Sequence, residues 1–131
     1  MKTSQFLVAG NVFTRAQLKE AFKITDASIN NGIFRPKEHD SIWLFVTKDK
    51  SSDRRQYDDS FDGSILKMDS QPQGRPDEML IHHVDLGLEV LMFYRSALRS
   101  HDAAGFRFEG SVEYRSHIGD RPKSFVFEVL R

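Results

Sequence analysis

The residues able to do chemistry in this chain gather in its middle. Tyr57 stands among Arg54, Arg55, Asp58, Asp59 and Phe61, and Ser70 and Gln71 follow directly on the segment 64–69. Aromatic, carboxylate and amide groups in loops beside strands are the mixture that holds a flat heterocycle. Rings stack on its face, and a carboxylate or amide reads its polar edge. Arginines at the rim of such a pocket can hold phosphates. The same residues fit a plainer reading, in which Tyr57 and Phe61 anchor a loop to the core.

Other chemistry is missing from the sequence. There are no cysteines, which excludes disulfides, thiolate zinc sites and Cys nucleophiles. Neither GxxxxGK[ST] nor GxGxxG nor GxSxG occurs. His82 and His83 are adjacent, so on a helix they point about 100° apart and cannot easily share a metal. Asp58, Asp59 and Asp62 lack the spacing of a calcium loop and read as solvated loop charges. No Glu-x-Lys nuclease pair and no His-Asn-His set can be assembled. The sequence therefore implies no catalytic site, no metal and no other cofactor.

These groups need a scaffold, and 131 residues suffice for one domain. Hydrophobic residues make up 39% of the chain, with eleven Phe, which is enough for a packed core. Nineteen basic residues balance nineteen acidic ones, excluding a basic coat that would blanket nucleic acid. The balance is local, however. Residues 1–37 carry six basic against two acidic residues, and residues 38–71 carry five against eight, so contact with an anion belongs in the N-terminal third. No apolar run is long enough for a signal peptide or a membrane span, and the expected location is the cytoplasm.

The period of the apolar residues places the elements. Residues 13–22 read as a helix capped by Thr14, followed by a short helical piece in ASINN that Gly32 stops. This helix–turn–helix rhythm reads mainly as packing. Residues 41–47 predict a central strand, because Ile42, Leu44 and Val46 alternate with Trp43, Phe45 and Thr47 and both faces are apolar. Residues 48–63 form a long polar connection of the kind that carries function. Strands are expected at 64–69, at 88–95 and at 106–117, the last with a period-two run through Phe106, Phe108, Gly110, Val112 and Tyr114. A last strand closes the chain. A helix is expected at 77–86, ended by Gly87. The class is α+β, a curved sheet or small barrel, with a helical part at 1–31 and a β-rich part at 32–131.

Five motifs in order carry a resemblance. They are Gly32-x-Phe34 with Ile42-Trp43-Leu44-Phe45-Val46-Thr47, then Tyr57-x-Asp59, then Ser70-Gln71, then His83-x-x-x-Gly87-x-Glu89, then Phe106-x-Phe108-x-Gly110. Together they resemble the SRA-like, or PUA-like, domain of McrA-type modification-dependent HNH endonucleases. They are also similar to the related C-terminal domain of restriction-associated helicases. The likeness runs from about Thr14 to the end of the chain.

The resemblance implies a PUA/SRA-like pseudo-barrel of mixed strands that flips a modified cytosine into a pocket. Tyr57 would stack on the base and Asp59 would read its edge, with Phe61 beside them. Ser70 and Gln71 would line the wall. Met68 occupies a position where relatives often carry an aromatic, commonly Trp, and there it would make a softer contact with the ring. His83 would orient a loop or touch a phosphate. Arg54, Arg55 and Arg75 would contact phosphates, as would Arg35 and Lys37, where Pro36 is expected to hold the segment extended. The function implied is non-catalytic recognition of 5-methylcytosine in DNA, in a prokaryotic restriction system, beside a fused or associated nuclease or helicase. The alternative is a PUA-like module for RNA or a small nucleotide-like ligand.

Overall fold

Both faces of the run at 41–47 are apolar, and all seven of its residues are buried. Such a strand has to lie inside a sheet covered on two sides. The computed structural model describes residues 2–30, 32–49, 60–69, 77–97, 105–119 and 123–130, and it has this run as β3 (Ser41–Asp49). β3 pairs in parallel with β6 (Glu89–Ala97), from Ser41 opposite Glu89 to Asp49 opposite Ala97. The other pairings among the described residues are antiparallel and involve β1 (Val12–Phe13), β2 (Ile33–Phe34), β4 (Ser60–Asp62), β5 (Ile65–Asp69), β7 (Phe106–Ile118) and β8 (Ser124–Val129). The result is an open mixed sheet in the order β2-β3-β6-β7-β8-β5-β4, with β1 beside the start of β7. Two helices, α1 (Arg15–Phe22) and α2 (Asp77–Ile81), and two 3-10 turns, Thr3–Phe6 and Ala27–Asn30, accompany it. The class is α+β, mostly sheet. No described helix is long and apolar enough to cross a membrane.

The sheet is strongly curled. β4 and β6 are four steps apart in the strand order. In a flat sheet, four steps of about 4.8 Å would separate them by roughly 19 Å. Yet the rings of Phe61 on β4 and Tyr94 on β6 meet edge-to-face at 5.3 Å. The curl encloses an inner core that takes alternate residues from most strands: Ile42, Leu44 and Val46 of β3, Val90 and Met92 of β6, Leu66 and Met68 of β5, and Phe125 and Phe127 of β8. Leu80 of α2 also joins it. The outer face of β3 and β6 presents Trp43, Phe45, Leu91 and Phe93, and Leu18 and Ile29 of the N-terminal part pack over them. The helix–turn–helix rhythm is therefore a cover for the sheet. Its second piece is one 3-10 turn that buries Ile29 completely.

α1 begins where expected. The Thr14 hydroxyl accepts the Gln17 amide, and the Gln17 side chain accepts the Thr14 amide, a reciprocal cap worth about 1 kcal/mol. Phe13 belongs to β1 and lies outside the helix. The helix expected at 77–86 is shorter, ending at Ile81; residues 82–87 are turns, closed by Gly87 at a φ of 72°. Tertiary hydrogen bonds at His83 override the helical pattern there.

β7 carries the largest departure from a simple reading. Its period-two run is broken at Gly110. Met92 pairs with Gly110 but Phe93 pairs with Phe108, so Glu109 is an extra residue opposite β6. The extra residue shifts the phase of the strand by one. Phe106 and Phe108 consequently enter the outer core, whereas Val112 and Tyr114 enter the inner one. Gly110 holds the bulge at a φ of 97°, where side chains are strained, and a Cβ there would meet no atom within 4 Å. Gly110→Ala is thus expected to cost about 1–2 kcal/mol from backbone strain alone. Urea unfolding would read this as a lower midpoint with an unchanged slope, and an unchanged midpoint would refute it.

Candidate functional site

Seven of the expected site residues lie outside the described residues: Arg54, Arg55, Tyr57, Asp59, Ser70, Gln71 and Arg75. The attachment points of their segments are described. Ser60, which follows Asp59, pairs with Lys67, and Ser70 follows Asp69 of the same hairpin. Both segments therefore join the β4–β5 hairpin at the end away from its turn. The β5 C-terminus, the β8 N-terminus and the β7 C-terminus come together there.

That end has its own chemistry. Met68, Phe125 and His117 stand side by side across β5, β8 and β7. Met68 and Phe125 are buried in the inner core. A second bulge, between Tyr114 and Ser116, brings Tyr114 and His117 together. The Tyr114 hydroxyl is 2.7 Å from His117 Nδ1, and both rings lean on Phe125 with centroids 6.2 and 6.0 Å away. The next row pairs Ser124 with Asp69, the serine hydroxyl donating to the carboxylate at 2.7 Å. Lys123 reaches the buried Asp77, at the start of α2, at 3.8 Å. Partly exposed aromatic rings and fixed hydroxyl, imidazole and carboxylate groups thus surround the point where the two segments attach. Neither Tyr114 nor His117 was legible as a member of this group, because the bulge sets their phase.

The other described candidates have definite places. Phe61 is half-buried against Tyr94. His83 is buried and uses both ring nitrogens: Nδ1–H donates to the Leu88 carbonyl at 2.8 Å, and Nε2 accepts the Tyr114 amide at 3.1 Å. It ties the turn after α2 to β7. Arg35 and Lys37 are exposed, and an Arg35 N–H points at Met79 Sδ 3.8 Å away. Their segment is not extended as expected. Pro36 is buried, and the chain turns tightly after it, with the His39 amide on the Pro36 carbonyl and Glu38 at a φ of 67°.

A second polar cluster escaped the sequence altogether. Thr3 Oγ1 accepts the indole N–H of Trp43 at 3.1 Å and lies 2.6 Å from His39 Nδ1. The Thr3 amide donates to Ser41 Oγ at 3.0 Å, and Ser41 donates to Glu89 at 2.6 Å. Glu89 also accepts the Ser4 amide and hydroxyl, at 3.0 and 2.5 Å. The network fastens the N-terminal turn to the first residues of the parallel strand pair. Its partners are 36 to 85 residues apart, so no local spacing betrays them. Burial pushes the pKa of His39 below its usual 6.5, although the carboxylates of Glu38, Glu89 and Asp40 oppose the shift.

Two outcomes follow from these contacts. His83→Ala strands a buried carbonyl and a partly buried amide and should destabilise the fold by about 2–4 kcal/mol in urea unfolding; a loss under 1 kcal/mol would contradict the double role of the ring. The depressed pKa of His39 acts on stability in one direction. Below about pH 6.5 the unfolded chain takes up a proton that the native histidine refuses, so the unfolding free energy falls with pH until the native ring also titrates. His39→Gln should remove that share of the pH dependence between pH 7 and 5, and parallel profiles for the two proteins would exclude it.

No protein-family model matches the chain, and no curated protein sequence does, so the functional reading rests on the residues themselves.

Proposed function

We propose that the chain is a non-catalytic reader of modified DNA that takes a flipped base, 5-methylcytosine first, into a pocket at the open end of the β4–β5 hairpin. The observation that carries this reading is the attachment of both candidate segments at that one end, near the rings of Tyr114 and His117 and the buried Met68. Tyr57 and Phe61 supply further aromatic faces in the proposal, Asp59 the edge contact, and Ser70 and Gln71 the wall. The finer fold assignment belongs to the same proposal. A mixed sheet curled enough to bring β4 onto β6 suits a pseudo-barrel of the PUA/SRA kind. The setting proposed is a prokaryotic, cytoplasmic, modification-dependent restriction system, in which a fused or associated nuclease or helicase supplies the chemistry.

The energetics are consistent with a nearly neutral protein. Flipping a base costs a few kcal/mol, and stacking returns about 1–3 kcal/mol for each base–aromatic contact. Little of the affinity then has to come from phosphates. Fluorescence anisotropy with matched duplexes, one carrying 5-methylcytosine, tests the proposal. Binding is expected to be about tenfold or more tighter to the modified duplex, and Tyr57→Ala should abolish the preference with the fold intact. Equal, weak binding to both duplexes would sink the reading. A single-stranded RNA that outcompetes the modified duplex would replace it with an RNA-binding one.

A further inference from the structure

The local excess of positive charge in the N-terminal third acquires a shape in the structure. Arg15, Lys19 and Lys23 recur every four residues along α1, Lys23 being its C-terminal cap. Residues at this spacing lie on one face of a helix. The stripe is roughly 12 Å long, from eight residues at about 1.5 Å each. That is the rise of three to four nucleotides of one B-form strand at about 3.4 Å each. Glu20, the only acidic residue of the helix, is turned about 100° away from Lys19 and stands one turn before Lys23.

The stripe is held in place. The Thr14–Gln17 cap fixes the start of the helix, and Leu18 and Phe22 pack into the outer core. The Arg15 guanidinium lies 4.6 Å over the Phe45 ring and 5.1 Å from the Phe106 centroid, and its Nε–H donates to the Ile29 carbonyl at 3.0 Å. Arg15 thus lies over the middle of β3 and the start of β7. Phe22 stacks edge-on against His39 and Trp43, which puts Lys23 at the N-terminal end of β3. The strand axis from Arg15 to Lys23 thus runs toward the end of the sheet where β7 continues past the start of β6, which lies opposite Val112, to its pairing with the first residues of β8. Lys19 is partly exposed and Lys23 exposed, and neither forms an ion pair with a described residue.

We propose that α1 is the phosphate-contacting surface of the protein, on which Lys19 and Lys23, led by the anchored Arg15, track the backbone of one DNA strand. The inference rests on the DNA-reading proposal for its partner but uses different residues. A lysine that meets a phosphate releases a counterion, so each should contribute about 0.9 to the slope of log affinity against log salt. Such contacts carry no sequence or methyl information.

The test measures anisotropy binding of the modified and unmodified duplexes over a salt series, for wild type, the Lys19→Gln/Lys23→Gln double variant, and Arg107→Gln as a control at the start of β7, where Glu109 already pairs the charge at 2.8 Å. The double variant should lose about 1.8 units of slope and bind on the order of tenfold more weakly at physiological salt. Its ratio between the two duplexes should equal that of wild type, and Arg107→Gln should behave as wild type. A double variant with methyl preference, affinity and slope all intact overturns the α1 surface while leaving the pocket reading standing. Wild-type binding without preference, weakened by the double variant, overturns the pocket reading and keeps the surface. No binding of wild type to either duplex overturns both.

Discussion

The parallel pairing of β3 with β6 is the constraint on which the rest of the structure depends. These strands present large apolar side chains on both faces, Ile42, Leu44, Val46, Val90 and Met92 on one and Trp43, Phe45, Leu91 and Phe93 on the other. At about 25 cal/mol for each Å² of apolar surface, neither face can be left in water. Two different solutions cover them. On the inner side the sheet curls over itself, until Phe61 of its last strand meets Tyr94 of the third. On the outer side the N-terminal part serves as a lid, with Leu18 and Ile29 on the aromatic cluster. The chain spends its first thirty residues chiefly on that cover, and this is also where its excess cations lie.

A lid of short elements does not hold itself in place. α1 is eight residues long, and isolated helices of that length are marginal in water. The Thr3–His39–Trp43 and Ser4–Ser41–Glu89 hydrogen bonds supply the missing fixation at one end of the lid. At the other end Arg15 lies on Phe45, and Arg95, 4.1 Å from the centroid of Phe106, donates to Thr47 at 2.8 Å. Most of these groups are buried or partly so, and removing one strands its partner. The attachment is consequently specific as well as strong.

The strands were legible where burial alone dictates the pattern. The alternation in 41–47 fixed which residues face which side, and β5, β6 and β8 followed from the same reasoning with small errors at their ends. Legibility failed where a single residue changes the phase or a distant partner takes over. Nothing in the run Phe106–Tyr114 except its glycine hints that Phe108 and Val112 face opposite cores. Nothing in DEMLIHHVDL announces that His83 leaves the helix to bond Leu88 and Tyr114. The candidate site divides in the same way. Its aromatic, acidic and amide residues stand out by type, but the rim of Tyr114 and His117 exists only through the bulge at Arg115.

The two bulges on β7 connect fold and site physically. A strand with unbroken alternation would place Phe106 and Phe108 on the same face as Val112 and Tyr114, which would overfill one core and leave the other face of β6 uncovered. One extra residue at Glu109 divides the four between the two cores. The second extra residue, Arg115, is held on the surface by Glu113 at 2.5 Å and Glu128 at 2.7 Å. It turns His117 back toward Tyr114 at the end where the candidate segments attach. Each bulge also increases the local twist, and stronger twist is what allows an eight-stranded sheet to curl over a core this small. The feature that distributes the aromatic residues between two cores therefore also shapes the rim that a flat ligand would meet.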